Sequence, residues 1–460
     1  MGRLVVAAAV AAWAIPIAAW VDSVVPDPYM DEIFHVPQAQ RYCRGDLLTW
    51  DPMITTPPGL YYISLAYVAA LFPGAWATKV ADALEPLCTP ALLRSTNVIM
   101  AVVCGVLVHD LLLCIKPGIS KAKATVYAIL VALYPVHWFF TFLYYTDVAS
   151  LAAVLAMYLY CLKKRFWVSA MFGVISILFR QTNAIWMLFF AANGAITYVQ
   201  DLCHSDYVSH ENNGLTDKSI TEVSDLANKA TAPGLRRRRK DRSITMKRVV
   251  SGSTKLHTSA KEAHVVSPHF AQLLYFGLVS SAALLPWHFT PRRVSDLFRL
   301  CRKNKTFSLL AMLMALGLSF VAVHFFSIAH PYLLADNRHY TFYIWRKVIQ
   351  AHWMMKYILI PFYVYSWFSV INILGKSQTR VWVLSFIFSV ALVLVPAPLV
   401  EFRYYTIPLV ILILNSPVID NGKLLALGSV YAAADLFTLA MFLFRPFRWE
   451  HEPGTQRFMW

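Results

Sequence analysis

The recurrence of long apolar runs from one end of the chain to the other constrains its fold more than any other feature. They occupy 4–21, 92–115, 124–142, 148–162, 166–179, 183–199, 269–289, 306–328, 353–374, 381–399, 404–416 and 424–444. A helix needs roughly 20 mostly apolar residues to cross about 30 Å of hydrocarbon. Backbone groups in lipid must also satisfy one another's hydrogen bonds. The expected fold is therefore all-α, a polytopic membrane helical bundle. Several runs are short for a span, as happens where helices tilt or break beside a buried polar site. Charged residues make up only 14% of the chain, against roughly a quarter in soluble domains. Leu4–Val21 has the length of a signal peptide, but no clear small-residue cleavage site follows, so it reads as an uncleaved anchor.

A formal charge of +16 raises the question of nucleic acid. The basic residues lie instead in short runs between apolar stretches: Lys116 to Lys123, Lys163 to Arg165, Arg236 to Arg248 and Arg292 to Lys305. Such loops stay on the cytoplasmic side of a membrane, so topology accounts for the basicity and no nucleic-acid partner is expected. With a cytosolic start, alternation of spans puts 22–91, Tyr144 to Asp147 and Arg180 to Asn183 in the lumen. The polar, basic stretch 200–268 then falls in the cytosol, where its composition suits a disordered linker. The count next places Arg292 to Lys305 in the lumen, against the charge rule. Either a span is missing between about 248 and 269, or 269–289 is a hairpin returning to its own side. The Asn304-Lys305-Thr306 sequon offers a check, because a glycan there requires a luminal loop.

Seven cysteines form no CxxC pair and no His/Cys ligand set, so no metal site is expected. Cys104, Cys114 and Cys161 read as core residues. Cys43 and Cys88 read as unpaired thiols, although an oxidising lumen would let them meet.

Polar motifs punctuate the apolar pattern. Tyr29 to Tyr42 carries the adjacent acids Asp31 and Glu32, with His35 one helical turn on and Arg41 beyond; Trp50 to Gly59 follows. Paired carboxylates beside a span are costly near lipid and hint at function; the ordinary alternative is a hydrated loop with an N-cap at Asp31. Asp147, between two runs, suits an N-cap. Arg180 breaks an apolar run at Phe179 to Asn183. The run Tyr332 to Trp345 holds Asp336, Arg338 and His339, and Leu399 to Tyr405 holds Glu401 and Arg403. Arginine forks suit bidentate phosphate binding and aromatic faces suit sugars, whereas interfacial anchoring by Arg, Tyr and Trp is the plain alternative. Together these sites point to a phosphate-bearing lipid and a sugar meeting at one membrane surface.

Read whole, the runs Tyr29 to Tyr42, Trp50 to Gly59, Phe179 to Trp186, Leu333 to Arg346, Glu401 to Pro408 and Gln456 to Trp460 resemble the family of dolichyl-phosphate-glucose-dependent α-1,2-glucosyltransferases. That family adds the third and last glucose to the lipid-linked oligosaccharide of N-glycosylation in the endoplasmic reticulum. The resemblance covers nearly the whole chain. It implies the GT-C architecture, with a luminal active site under the first long loop, and an inverting transfer to a dolichyl-diphosphate-linked oligosaccharide without nucleotide, metal or other cofactor. It also implies a further span and luminal segment before the run beginning at Pro268, where this chain has only polar linker. The expected organisation is 1–199 with a catalytic loop at 22–91, a cytosolic linker 200–268, and 269–460 with donor-phosphate motifs. Asp31 is the expected general base and Glu32 its partner, with His35 and Arg41 as weaker acceptor-side candidates. Arg338 and His339, then Arg403 and Arg180, are the expected phosphate ligands, with Asp147, Asp336 and Glu401 beside them. The alternatives are a mannosyltransferase of the same superfamily, a transporter or flippase, or a non-catalytic subunit. Against transport, the polar residues gather at one surface and no paired halves are visible.

Overall fold

The computed structural model describes residues 1–74, 85–213, 268–303, 305–450 and 454–460. The chain divides into two compact units, 1–194 with 266–460, and 195–265. Among the described residues the secondary structure is helical, apart from isolated bridges between His339 and Met459 and between Phe447 and Gln456.

The N-terminal helices are α1 (Gly2–Val24), α2 (Glu32–Cys43), α3 (Gly59–Leu71), α4 (Pro90–Ile115), α5 (Lys121–Ala132), α6 (Pro135–Phe140), α7 (Thr146–Leu162), α8 (Phe166–Phe179) and α9 (Asn183–Asn213). After residue 267 follow α10 (Ala271–Ala283), α11 (Leu285–His288), α12 (Pro291–Lys303), α13 (Lys305–Phe325), α14 (Pro331–Ala335) and α15 (Tyr340–Ile344). The last are α16 (Met355–Ile358), α17 (Ile360–Leu374), α18 (Arg380–Leu394), α19 (Thr406–Asn415) and α20 (Asn421–Phe444). Among the described residues five stretches are long and apolar enough to cross a membrane: α1, α4, α13, residues 355–374 and α20. The protein is an all-α polytopic membrane protein.

Proline splits several of the runs read as continuous. The run 124–142 breaks before Pro135, and 269–289 breaks at Leu284 before Pro286. Proline lacks the N–H that a helix interior needs but suits a first turn, so each break starts a new helix.

At the centre lies α7, buried around nearly its whole circumference. Ala149, Ser150, Ala152, Ala153 and Ala156 let α4 and α8 approach it closely. Gly105 of α4 makes similar room for Val6 and Val10 of α1.

The two ends of the larger unit differ. At one end stand the start of α7, the turn between α8 and α9, the start of α10 and the segments 327–339 and 399–403. His269 donates its N–H to the Val395 carbonyl (2.8 Å), and the Gln272 amide reaches the Ala397 and Leu399 carbonyls. At the other end Lys116 donates to the Ser416 carbonyl (2.6 Å), Trp287 to Pro417 (2.8 Å) and Arg3 to Asp110 (2.8 Å). Helices α10 and α11 therefore run the full way from the first end to the second, and the hairpin alternative for 269–289 fails. Arg292 to Lys303 join the end that holds Lys116 to Lys123 and Lys163 to Arg165. Of the expected linker 200–268, residues up to Asn213 continue α9, and 214–267 lie outside the described residues.

Two cysteine readings change. Cys43 and Cys88 form a disulfide, because α2 and the segment preceding α4 pack together. Cys114 is exposed on α4, whereas Cys104 is buried and Cys161 partly so.

Candidate active site

The first connection delivers its acids to opposite sides. Met30 has a left-handed backbone (φ 55°), uncommon for a side chain of its kind, and this bend sets where Asp31 and Glu32 point. Glu32 is wholly buried. It accepts from the N–H groups of Tyr29 (3.0 Å) and Tyr144 (2.5 Å) and from Arg94 at 2.9 and 2.7 Å. Arg94, itself buried on α4, also grips Asp22 and the Val25 and Asp27 carbonyls. A buried pair of this kind needs every lone pair and proton matched, and here a dense network supplies them.

Asp31 takes the N-cap position of α2, yet its side chain makes no capping bond. It keeps 43% of its side-chain surface and meets Arg403 Nη1 at 3.1 Å. The same guanidinium pairs with Glu401 through Nε and lies over the rings of Tyr145 (5.7 Å) and Tyr404 (5.9 Å). Tyr145 Oη accepts the Asp31 N–H (3.1 Å). Burial alone would raise the carboxyl of Asp31. The charge and hydrogen bond of Arg403, with His35 and His339 nearby, hold it below the usual carboxylate range. Glu401 behaves alike: burial opposes ionisation, and Arg403 overrides it.

These groups open on a cavity of about 240 Å³ lined by Asp31, Tyr145, Asp336, His339, Glu401, Arg403 and Trp460, among others. That is somewhat below the roughly 300–1,000 Å³ of common ligand pockets, which fits a sugar-phosphate head rather than an oligosaccharide. Among the described residues no group of three or more His, Cys, Asp or Glu is arranged to hold a metal ion.

Arg338, Arg180, Asp147, His35 and Arg41 are not among the residues that line this cavity. Arg338 spends its guanidinium on both oxygens of Asp336 (2.8 Å each) and on Gln456 (2.9 Å), over the ring of Trp449 (4.6 Å). His339, one residue on, lines the wall and bonds through Nδ1 to the Trp460 carbonyl (3.0 Å). Arg180, at the C-terminus of α8, pairs with Asp147 in the first turn of α7 (3.0 Å) and lies over Tyr404 (5.7 Å). His35 is buried against the Tyr61 hydroxyl (2.6 Å); burial pushes its pKa down, with Asp31 partly opposing. Arg41 sits in the last turn of α2, away from the lining.

Sequence reading missed two contributors. Arg94 gave no signal, lying inside an apolar run. The terminal strip 456–460 was noticed only as part of a resemblance, yet it forms a cavity wall. Met459 donates its N–H to the Arg338 carbonyl (2.9 Å) and accepts from the Tyr340 N–H (3.1 Å), Arg457 donates its N–H to the Tyr29 hydroxyl (2.8 Å), and Trp460 packs on Tyr340 (5.1 Å) and Phe402 (5.9 Å).

The model of the DIE2/ALG10 family matches residues 25–414, a range that contains Asp31, Asp336, His339 and Arg403. The chain belongs to the DIE2/ALG10 family. A relative from Arabidopsis thaliana, named Dol-P-Glc:Glc(2)Man(9)GlcNAc(2)-PP-Dol alpha-1,2-glucosyltransferase, is 47% identical over 511 aligned positions covering all of both chains. Relatives of the same name are 33% identical in Homo sapiens, over 94% of this chain and 93% of theirs, and 32% identical in Drosophila melanogaster, over 94% of each. The 511 aligned positions exceed the 460 residues of this chain by 51, so the Arabidopsis DIE2/ALG10 relative holds residues this one lacks. No solved structure matches this DIE2/ALG10 chain significantly.

Proposed function

We propose that this protein transfers glucose from dolichyl phosphate glucose, in α-1,2 linkage, to the diglucosylated dolichyl-diphosphate oligosaccharide. It adds the third and last glucose, in the endoplasmic reticulum membrane, from a GT-C site facing the lumen. The carrying observation is the Asp31–Arg403 pair inside a cavity of sugar size, in a chain whose relatives are named for this transfer. The first loop 22–91 forms the catalytic rim, 1–199 and 269–460 are the two membrane regions, and 200–268 is the linker.

Inversion from a β-linked donor to an α-linked product requires attack opposite the departing phosphate. Asp31 takes the proton of the acceptor glucose 2-hydroxyl as its oxygen attacks the anomeric carbon and the bond to the phosphate breaks. Arg403 and His339 receive the negative charge that builds on that phosphate, at fixed positions in a site of low dielectric. Asp31 and Arg403 stand 3.1 Å apart, within reach of one sugar-phosphate head. The donor phosphate competes for the guanidinium, and the released Asp31 regains basicity.

Glu32 and Arg94 hold the loop that carries Asp31 and make no direct contact with substrate. Arg338 and Asp336 hold His339, and Arg180 with Asp147 braces Arg403 through Tyr404.

A positioned general base contributes typically 10²–10⁴-fold. Asp31→Asn should lose about that factor in transfer from synthetic dolichyl phosphate glucose to a defined acceptor, with unchanged protein in the membrane. Cells depending on the variant should accumulate the diglucosylated lipid. Wild-type turnover by Asp31→Asn would remove the base assignment, and accumulation of a mannose-deficient lipid would replace the reaction.

A further inference from the structure

The end of the bundle remote from the cavity carries a second concave surface. Helix α12 begins at Pro291, directly after the turn that follows Trp287. Four of its apolar residues, at 294, 297, 298 and 301, have the sequence spacing of one helical face, with Leu300 outside it, and basic residues fill much of the remainder. Phe298 is 71% exposed and Val294 37%, so Phe298 stands largely clear of the protein and Val294 in part. Beside it opens a cavity of about 660 Å³ whose charged lining is Arg292, Arg293, Asp296, Lys376, Asp420 and Lys423. Lys423 lies 3.7 Å from Asp420, and Asp296 lies 3.6 Å from Arg299 on the outer side of α12. Four cations against two acids leave the notch positive. Buried Trp287 and half-buried Pro417 also line it.

A helix with an exposed apolar face, a basic opposite face and a span at its C-terminal end has the form of one lying in a membrane interface. The basic notch stands where the headgroups of that leaflet would be. Juxtamembrane basic residues attract anionic lipid at short range.

We infer that α12 lies along the membrane surface at this end of the bundle and that the notch beside it binds the headgroup of an anionic phospholipid. The site is separate from the catalytic cavity and does not depend on the reaction assigned there. Charge complementarity selects the lipid, and the apolar face at 294 and 298 enters its acyl region.

The test uses the full chain in nanodiscs of phosphatidylcholine containing a minor fraction of phosphatidylinositol, extracted into mild detergent. Lipid retained per chain is counted by mass spectrometry. Wild type should retain phosphatidylinositol in preference to phosphatidylcholine. R292Q/R293Q/K376Q/K423Q should lose that preference by about fivefold per charge removed. R292Q/R293Q serves if the fourfold variant does not fold. K121Q/K123Q removes two charges from the same end outside the notch and should retain lipid as wild type does. Equal retention by the notch variants, no preference in wild type, an equal loss in K121Q/K123Q, or displacement of the lipid by inorganic phosphate at similar concentration would each overturn the proposal.

Discussion

At the scale of single residues, the decisive feature is one guanidinium shared by two carboxylates. Asp31, Glu401 and Asp336 all sit below the usual carboxylate range because neighbouring cations outweigh the cost of burial. A carboxyl whose folded pKa is depressed contributes stability above its unfolded value, about 4, and loses it as pH falls through the folded value. Thermal stability of the wild type should therefore lose this contribution only below about pH 4. Arg403→Gln reverses the sign. Without the cation, burial raises Asp31 and Glu401, the folded state binds more protons, and stability should rise as pH is lowered from neutral. A thermal-shift series against pH that shows the same slope for both proteins would refute this electrostatic account. Asp31, His339 and Arg403 were legible as candidates because acids and arginines at span boundaries are costly without a use. Glu32 and Arg338 were equally prominent in the chain, but their partners turn them from the cavity, and no spacing rule reveals which way a loop side chain faces.

At the scale of elements, α2 is held from both ends. Its first residue is fixed by the Glu32–Arg94 network and its last, Cys43, by the bond to Cys88, which closes a span of 45 residues. Breaking one partner of a buried ion pair costs roughly 3–5 kcal/mol, and a disulfide of this loop size contributes typically 2–4 kcal/mol. Arg94→Met should lower the amount of folded protein in membranes far more than it alters turnover per folded molecule. Cys43→Ser should behave likewise and leave the Asp31 titration in place. A pure turnover defect at full protein level in Arg94→Met would make that arginine part of the chemistry. Gly59 explains a third contact: a Cβ there would stand 2.6 Å from the Leu178 carbonyl oxygen. The Trp50 to Gly59 loop thereby abuts the end of α8, where Gln181 reaches the Thr55 carbonyl (2.7 Å). Helix positions were readable from apolar runs and prolines. The Cys43–Cys88 bond was not, because pairing depends on a packing between elements 45 residues apart.

At the scale of the whole molecule, charge and connection agree. The described basic loops collect at the end away from the cavity, including Arg292 to Lys303, which resolves the conflict in the alternation of spans. The chain leaves the larger unit at Gly194, beside Cys161 near the end of α7. Among the described residues that follow, His269 bonds to the Val395 carbonyl and Gln272 to the Leu399 carbonyl at the cavity end. Residues 195–265 contain no apolar run of spanning length in sequence. Asn304 should carry no glycan, whereas a sequon placed among Asp46 to Thr49 should be modified, as read by an endoglycosidase mobility shift. A glycan on Asn304 would invert the assigned orientation. Inserting the residues that the Arabidopsis relative holds and this chain lacks should raise transfer activity above that of this chain; an equal rate would mean this chain needs no such addition.

The sequence by itself determined the class of fold, the approximate place of each helix and the boundary motifs, because hydrophobic length and proline chemistry act locally. Only the tertiary structure decided which polar residues share the cavity. Asp31 and Arg403 are 372 positions apart, and their meeting depends on how α7 is enclosed, how the terminal strip folds back and how Met30 bends. Those are packing outcomes that long-range contacts set together.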